Sequence, residues 1–152
     1  MRPAATERPA SPGIVGHGID LVEIERIGRM LESHPERFRD RCFTPAEQAW
    51  ADAGGRLTMQ RFAGRFAAKE AASKALGTGI SGDIRWTDFE VLPADGGAPI
   101  LQLHGGAAAR AAERGITNLH ISITHSGGLA MASVIASIDP AGPGSQAAVP
   151  EA

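Results

Sequence analysis

An alanine-rich segment near the middle of the chain, RFAAKEAASKALGTG at residues 65–79, strongly limits how this sequence can fold. Alanine has the highest intrinsic helix propensity, and Gly77 and Gly79 can end a helix because glycine readily adopts a positive φ. We therefore predict a helix from Met59 to Leu76. Because small side chains surround its few polar residues, this helix should pack closely against the rest of the protein on most sides.

Periodicity and turn signals on either side of this helix predict the remaining elements. Thr44 and Glu47, three residues apart with Pro45 between them, form a capping-box signal for a helix start. In chain order we predict a strand leading into a helix at 13–31, a helix at 45–52, the alanine-rich helix, a hairpin at 84–105, a short helix at 106–115 and a second hairpin at 119–138. This order, β-α-α-α-β-β-α-β-β, predicts an α+β fold with a mostly antiparallel sheet and helices packed on one side.

The length of 152 residues, with 43% hydrophobic residues, suits one domain with a real core. Both ends of the chain are rich in proline, alanine and small polar residues and have no periodic apolar face to bury. We therefore predict a disordered tail at 1–12, one domain at 13–138 and a second disordered tail at 139–152.

Charge and hydropathy exclude several functional classes. A net charge of −2 argues against nucleic-acid binding through bulk positive charge. No apolar run approaches the ~20 residues that a membrane-spanning helix needs. The single cysteine, Cys42, excludes an internal disulfide framework. Because the first residues also lack the apolar region of a signal peptide, we expect a cytoplasmic protein.

Glu70 and Lys74 are the first candidate functional residues, since they lie one turn apart on the same face of the predicted helix. Such a pair on a solvated face is worth ~0.3 kcal/mol and needs no function. The small residues around it instead favour a site partly shielded from water. The glycine loop that follows could approach a phosphate, with Arg65 and Lys74 supplying positive charge. This segment alone leaves both interpretations open.

Asp20 and His125 are candidates from two other predicted strands. If the first strand alternates, Gly16 and Gly18 share a face with Asp20 and leave space beside its carboxylate. Asp20 could cap the following helix, or it could join Glu70 as a ligand for Mg²⁺, which typically takes one or two carboxylates plus substrate phosphates. His125 ends an alternating strand, a position where a histidine is more often structural than functional.

Five segments of the chain also carry a family pattern. They are GIVGHGIDLVEIERI, FTPAEQ, RFAAKEAASKALGTGI, FEVL followed by GGAPIL, and HISITHSGGLAMASVI. In this order they resemble the holo-acyl-carrier-protein synthases, the small 4′-phosphopantetheinyl transferases of fatty-acid biosynthesis, over nearly all of residues 13–138. The resemblance implies that family's fold and a defined reaction. In that reaction the 4′-phosphopantetheine of coenzyme A moves to a serine of apo acyl carrier protein, which gives holo acyl carrier protein and 3′,5′-ADP.

The resemblance further implies roles for individual residues. Asp20, Glu70 and Lys74 would be catalytic, with Asp20 and Glu70 holding Mg²⁺ and Lys74 beside the diphosphate of coenzyme A. Glu70 would be a candidate for activating the serine, although the resemblance leaves the base open. The residues implied to contact coenzyme A are Arg65, Lys74, Gly77, Thr78, Gly79, Pro99, Thr124 and His125.

Two interactions with other chains are implied in the same way. The family members look like homotrimers with each active site between adjacent subunits. The carrier protein would dock on a basic stripe, and the implied contacts are Arg26, Met30, Arg37, Phe38 and Arg41. A basic stripe would suit an acidic recognition helix, although acidic residues interspersed along the same segment balance its charge.

Two other classes of function share part of this pattern. A catalytically silent module that binds coenzyme A or a carrier protein would use the glycine loop and the basic stripe, but it would not need two carboxylates. A Mg²⁺-dependent nucleotide phosphohydrolase would use the carboxylates and the loop without any carrier protein.

Overall fold

The computed structural model describes residues 13–140. The tails predicted at 1–12 and 139–152 lie outside the described residues, apart from Asp139 and Pro140. Two short 3₁₀ turns accompany the regular elements, at Gly55–Leu57 and Trp86–Asp88. The elements are β1 (Gly13–Glu23), α1 (Ile24–Ser33), α2 (Pro35–Cys42), α3 (Pro45–Asp52), α4 (Thr58–Leu76), β2 (Phe89–Pro93), β3 (Pro99–Leu103), α5 (Gly105–Glu113), β4 (Asn118–Ser126) and β5 (Leu129–Ile138).

The strands form two antiparallel sheets, which confirms the predicted α+β class. The larger sheet has the order β1-β5-β4, and β2 pairs with β3 as a separate hairpin. Alternate side chains of the central strand β5 are completely buried on the face covered by α4. They are Ala130, Ala132, Val134 and Ala136. Their small size lets the helix lie close to the sheet.

The closest approach is between β1 and α4. A Cβ atom at Gly18 would lie 1.8 Å from the carbonyl oxygen of Ala71, and one at Gly16 would lie 2.0 Å from that of Ala75. No side chain fits at these distances, so the two main chains touch directly. The two glycines therefore fix the position of α4 over β1.

The predicted alanine-rich helix is α4, and the structure confirms both of its ends to within one residue. Gly77 follows its last turn with φ 69°. The Gly77 N–H donates to the carbonyl of Lys74 at 3.0 Å, and the Thr78 N–H donates to that of Ser73 at 3.1 Å. This pair of bonds is a Schellman motif, which explains why a glycine ends the helix.

A helix that the sequence analysis missed, α2, follows α1 almost immediately. The predicted order had only three helices before the first hairpin, and that part of the prediction was wrong. Pro35 occupies the first helical position, where its fixed φ suits a helix and its missing N–H costs nothing. Phe38 and Cys42, four residues apart, bury one face of α2. A basic helix of eight residues with only two apolar positions gives little periodic signal.

One ion pair is completely buried in the core. Lys69 Nζ lies 2.7 Å from Glu47 Oε2, and neither side chain is exposed to solvent. The other Glu47 oxygen accepts from the Val91 N–H at 2.8 Å, while Lys69 also donates to the carbonyls of Trp86 and Phe89. Burial lowers the pKa of Lys69, and the Glu47 carboxylate opposes that effect. This network ties α3 and α4 to the start of β2.

Glu47 also serves the predicted capping box at the start of α3. The Thr44 hydroxyl accepts from the Glu47 N–H at 3.3 Å, and the Glu47 carboxylate accepts from the Thr44 N–H at 2.8 Å. The capping signal is therefore confirmed, but it gave no indication that the same glutamate pairs with a buried lysine.

The outer face of the larger sheet, opposite α4, carries exposed apolar side chains. Ile19 is 50% exposed and Leu21 is 57% exposed on β1, and Leu129 on β5 is 37% exposed. No helix in the described range 13–140 has the length and apolar character required to cross a membrane.

Candidate functional site

Asp20 and Glu70 come together where the main chains of β1 and α4 touch. Asp20 lies two residues beyond Gly18, on the face of β1 turned toward α4, as the predicted alternation requires. Lys74, one turn beyond Glu70, donates to Asp20 Oδ1 at 3.0 Å and to the carbonyl of Ile19 at 2.9 Å. We call Asp20, Glu70 and Lys74 the carboxylate cluster.

The structure excludes one alternative for Asp20 and one pairing for Lys74. Glu23 precedes α1 at the capping position, so Asp20 does not cap that helix. In the described residues Lys74 pairs with Asp20 on another element and not with Glu70 on its own helix. Half of the Lys74 side chain is exposed, against 16% of Asp20, so the cluster opens toward solvent through the lysine.

The Asp20 carboxylate disfavours the charged form of Glu70. The pKa of Glu70 is raised above its ordinary value, first because burial penalises the charged form and second because Asp20 is nearby. Lys74 opposes both effects. A cation between the carboxylates would relieve this cost, so the cluster is electrostatically suited to bind one.

The donor set favours a metal that keeps water or substrate ligands. Among residues 13–140, no three or more His, Cys, Asp or Glu side chains are grouped so that they could hold a metal ion by themselves. Mg²⁺ commonly takes only one or two carboxylates and completes its shell with water and phosphate oxygens. Asp20 and Glu70 therefore fit Mg²⁺ better than a metal that needs a closed protein cage.

The glycine loop leaves α4 at the same end as the carboxylate cluster. Gly77 and Gly79 have φ angles of 69° and 63°, which side chains rarely adopt. Between them, the Thr78 hydroxyl donates to the carbonyl of Gly79 at 2.8 Å. Lys74 is one turn before the loop, so a ligand in contact with this cation would lie near the exposed loop backbone.

His125 lies at the opposite end of α4. It pairs with Ala130 on β5, which in turn pairs with Val22 on β1. Two strand spacings therefore separate His125 from β1, which is ~10 Å. A Cβ atom at Gly64, more than one turn before Glu70, would lie only 2.8 Å from His125 Nε2.

The ring of His125 points into the protein. Its Nε2 is buried without a hydrogen-bond partner among the described residues. Burial lowers the pKa of His125, a backbone hydrogen bond to Gln60 opposes the shift, and the charge of Arg65 adds to it. Burial therefore favours the neutral imidazole, and in this conformation its buried nitrogen does not face solvent.

Arg65 is also buried, with only 6% of its surface exposed. Its guanidinium lies 3.5 Å from the centroid of the Trp50 ring, and its Nε donates to the carbonyl of Val91 at 3.2 Å. Burial lowers the pKa of Arg65 to about 10. In this conformation little of the Arg65 side chain is available to contact a phosphate.

The sequence-predicted coenzyme contacts thus divide into separate groups in one chain. The carboxylate cluster and the glycine loop lie at the C-terminal end of α4, whereas Arg65 and His125 lie near its N-terminal half. Thr124 is exposed on β4 beside His125. Pro99 lies elsewhere, beside an open groove of about 1180 Å³ that also includes Ile100 and Leu119 but no residue of the carboxylate cluster.

The predicted docking stripe follows α1 and α2. Arg26, Arg37 and Arg41 are exposed, and Met30 is half-buried. Phe38 differs, because it is only 7% exposed and packs edge-on against Phe43 with ring centroids 5.8 Å apart. The surface available to a partner is therefore mainly the arginines and Met30.

Sequence reasoning missed the roles of Lys69 and Trp50. One signal was present for the lysine: Lys69 shares a helical face with Phe62 and Leu76, which are seven residues away on either side and fully buried. A charge on that face needs a buried partner. The stacking of Trp50 on Arg65 joins residues of two different helices, and no local pattern predicts it.

Comparison with known proteins gives a consistent result. The sequence profile of the 4′-phosphopantetheinyl transferase superfamily matches residues 16–132. Holo-[acyl-carrier-protein] synthase from Solibacter usitatus is 47% identical over 122 residues, which cover 80% of this chain and 97% of that protein. The enzyme of the same name from Anaeromyxobacter dehalogenans is 50% identical over 126 residues, or 80% of this chain and 94% of the relative.

Solved structures of such enzymes share the fold. Helicobacter pylori holo-[acyl-carrier-protein] synthase in complex with coenzyme A superimposes with a TM-score of 0.71 at 31% identity, covering 80% of this chain and 99% of the other. The Bacillus anthracis enzyme in complex with CoA (3′,5′-ADP) gives a TM-score of 0.68 at 40% identity, covering 83% and 98% of the two chains.

Proposed function

Because this chain belongs to the 4′-phosphopantetheinyl transferase superfamily, we propose that its carboxylate cluster serves the reaction of a holo-[acyl-carrier-protein] synthase. The enzyme transfers 4′-phosphopantetheine from coenzyme A to a serine of apo acyl carrier protein. The serine oxygen forms a bond to the phosphorus that carries pantetheine, and the diphosphate P–O bond breaks. The products are holo acyl carrier protein and 3′,5′-ADP.

The contact between β1 and α4 carries this proposal, because it brings together two carboxylates and a cation that the reaction needs. Asp20 and Glu70 are proposed to hold Mg²⁺, which when bound neutralises charge on the diphosphate. Lys74 is half-exposed beside Asp20 and can turn toward the leaving phosphate as a cation or proton donor. Glu70 is the candidate for taking the serine proton, because it is a carboxylate in the same cluster as the proposed phosphate cation Lys74.

A homotrimer with each site between adjacent subunits is part of the proposal. Within one chain, the carboxylate cluster and His125 lie toward opposite ends of α4. A single coenzyme that contacts both groups would take the cluster from one chain and His125 from its neighbour, which supports the trimer. The exposed apolar face of β1, with Ile19 and Leu21, is a suitable surface to bury between subunits. Light scattering should give three times the chain mass, and Leu21→Asp should reduce it. A monomeric wild-type protein that is fully active would contradict the trimer.

Carrier-protein docking on the exposed arginines of α1 and α2 completes the proposal. An acidic recognition helix would complement Arg26, Arg37 and Arg41. The implied place of the reaction is fatty-acid biosynthesis. The cytoplasmic location expected from the sequence remains a prediction, and cell fractionation can test it.

Mass spectrometry of apo acyl carrier protein tests the proposed function directly. Incubation with this protein, coenzyme A and Mg²⁺ should add one phosphopantetheine to the serine, and chelation of the metal should stop the reaction. Glu70→Gln should be inactive although folded. An unmodified carrier protein, beside a known transferase that succeeds under the same conditions, would contradict the proposal.

The same assay separates the two alternatives. A silent binding module would bind coenzyme A, as measured by calorimetry, but would not modify any carrier protein. A nucleotide phosphohydrolase would release inorganic phosphate from nucleotides when no carrier protein is present.

A further inference from the structure

Arg114, the residue that follows α5, reaches across to the end of α4. One terminal nitrogen of its guanidinium donates to the carbonyls of Ala75 at 3.2 Å and Leu76 at 2.8 Å. The other donates to the carbonyl of Val15 on β1 at 2.9 Å. A single side chain thus joins α5, the last turn of α4 and the first half of β1.

The regular hydrogen bonds of α4 and of the β1–β5 ladder do not use these three carbonyls. The Schellman motif after α4 uses the carbonyls of Ser73 and Lys74, so those of Ala75 and Leu76 have no helical donor. Val15 lies where the register between β1 and β5 shifts and is not paired in the ladder. Arg114 therefore donates to backbone carbonyls that lack a regular partner, two at the end of α4 and one at the register shift in β1.

The charge of Arg114 also suits its position. The C-terminal end of a helix carries a partial negative charge, and a cation there is stabilising. Since α4 has 19 residues, its last carbonyls are aligned with a long row of peptide dipoles. The guanidinium binds these carbonyls directly and lies 3.7 Å from where a Cβ of Gly77 would be, immediately before the exposed part of the glycine loop.

The elements joined by Arg114 are those that carry the proposed site. Glu70 and Lys74 lie on the last two turns of α4, and Asp20 is five residues beyond Val15 on β1. We propose that Arg114 is a positioning residue for coenzyme A binding: it holds the end of α4 and the following glycine loop, residues 77–79, against β1. This inference rests on the proposed function, since it assigns coenzyme A to this loop.

Calorimetry of coenzyme A binding, with kinetics of transfer, tests the inference. Arg114→Ala should weaken coenzyme A binding roughly tenfold or more, because small displacements of binding groups have effects of that size. The KM for coenzyme A should rise by a similar factor, while the KM for the carrier protein stays within about twofold. Arg114→Lys should be intermediate, because an ammonium can still donate to the carbonyls, and added guanidinium should partly restore the alanine variant. Arg110→Ala is the matched control, since Arg110 lies on α5 four residues before Arg114 and, among the described residues, its side chain pairs only with the exposed Glu113.

Hydrogen exchange separates positioning from general stability. The amides of Gly77 and Thr78 should exchange faster in Arg114→Ala than in the wild type, with no change at the buried β5 amides. If Arg114→Ala fails to fold, Arg114→Lys carries the test, and it should show the same loss of coenzyme A binding to a smaller degree. Wild-type coenzyme A binding by the folded Arg114→Ala variant, or by Arg114→Lys if only that variant folds, would overturn the inference.

The outcomes for the two proposals are distinguishable. If the wild type binds coenzyme A and Arg114→Ala weakens it, but no carrier protein is modified, the positioning role stands and the transferase function fails. If the wild type does not bind coenzyme A at all, both fail.

Discussion

The Lys74 ammonium lies 3.0 Å from the Asp20 carboxylate, so a cation on α4 neutralises an acid on β1. The ammonium binds the Asp20 carboxylate, and a divalent cation would have to compete with it for that carboxylate. Lys74 thus has two proposed roles, as a counter-ion to Asp20 before the metal binds and as a cation for phosphate afterwards.

Replacing Lys74 by methionine should separate these two roles. Without the ammonium, the carboxylates have less positive charge beside them, and affinity for Mn²⁺ as a probe should increase by about two- to fivefold, the worth of an exposed ion pair. Turnover should nevertheless fall ~100-fold or more, because a cation is lost from the phosphates. Electron paramagnetic resonance measures free Mn²⁺, and Arg110→Ala is the control. Weaker Mn²⁺ binding in Lys74→Met would contradict this account.

Glu70→Gln should abolish transfer and yet stabilise the metal-free protein. The pKa of Glu70 is raised in the folded state above the ordinary 4.5, so the folded state binds more protons than the unfolded state between those two values. Stability from this group is therefore present below pH 4.5 and is lost as the pH rises through the folded pKa. At pH 7 the neutral amide avoids that cost, and we expect the unfolding midpoint to rise by on the order of 1 °C.

Thermal unfolding with a chelator at pH 7 measures this effect. Added Mg²⁺ should raise the midpoint of the wild type but not that of Glu70→Gln, because only the wild type has both carboxylates. A lower midpoint for the variant in the absence of metal would show that charged Glu70 stabilises the fold at pH 7. That result would contradict the raised pKa of Glu70.

Gly18→Ala tests the contact between the main chains of β1 and α4. The added methyl group would lie 1.8 Å from the carbonyl oxygen of Ala71, and backbone cannot give way as a side chain can. We expect a loss of about 3 kcal/mol or more in the free energy of unfolding. Gly96→Ala is the control, since within residues 13–140 no atom outside its own chain neighbours lies within 4 Å of its added methyl group, and its φ is not positive. Similar urea midpoints for the two variants would exclude a tight contact at Gly18.

The buried Lys69–Glu47 pair should behave as a unit. Lys69→Met leaves a carboxylate buried without its charge partner, which typically costs 3–5 kcal/mol. Adding Glu47→Gln removes that charge but can keep the capping bonds, so the double variant should be more stable than Lys69→Met alone. Urea denaturation of the two single variants and the double variant gives the coupling energy. Strict additivity would mean that the two charges do not interact.

Local signals in the sequence were sufficient for much of the fold. Examples are the two glycines after α4, the capping box before α3 and the glycines between β4 and β5. Each of these signals acts within a few residues, so local sequence patterns predict its effect. The helix α2 was missed for the same reason, because His34 just before it and Pro35 at its first position resemble a loop until the burial of Phe38 is known.

The site depended on contacts that no local pattern contains. Asp20 and Glu70 are 50 residues apart in the chain, and their pairing was a hypothesis from donor chemistry that the family resemblance then supported. Helical spacing suggested Glu70 as the partner of Lys74, but the tertiary contact places Asp20 there instead. The burial of Arg65 under Trp50 likewise results from packing between two helices.

The glycines of β1 have a mechanical consequence for the enzyme. Where Gly18 meets Ala71, no side-chain rotamers lie between the two elements to adjust, so the joint is stiff. Asp20 and Glu70, next to this joint, should keep nearly constant main-chain positions when core side chains elsewhere are exchanged. Adaptation to a substrate must then come from the half-exposed side chain of Lys74, the part of the cluster that can turn.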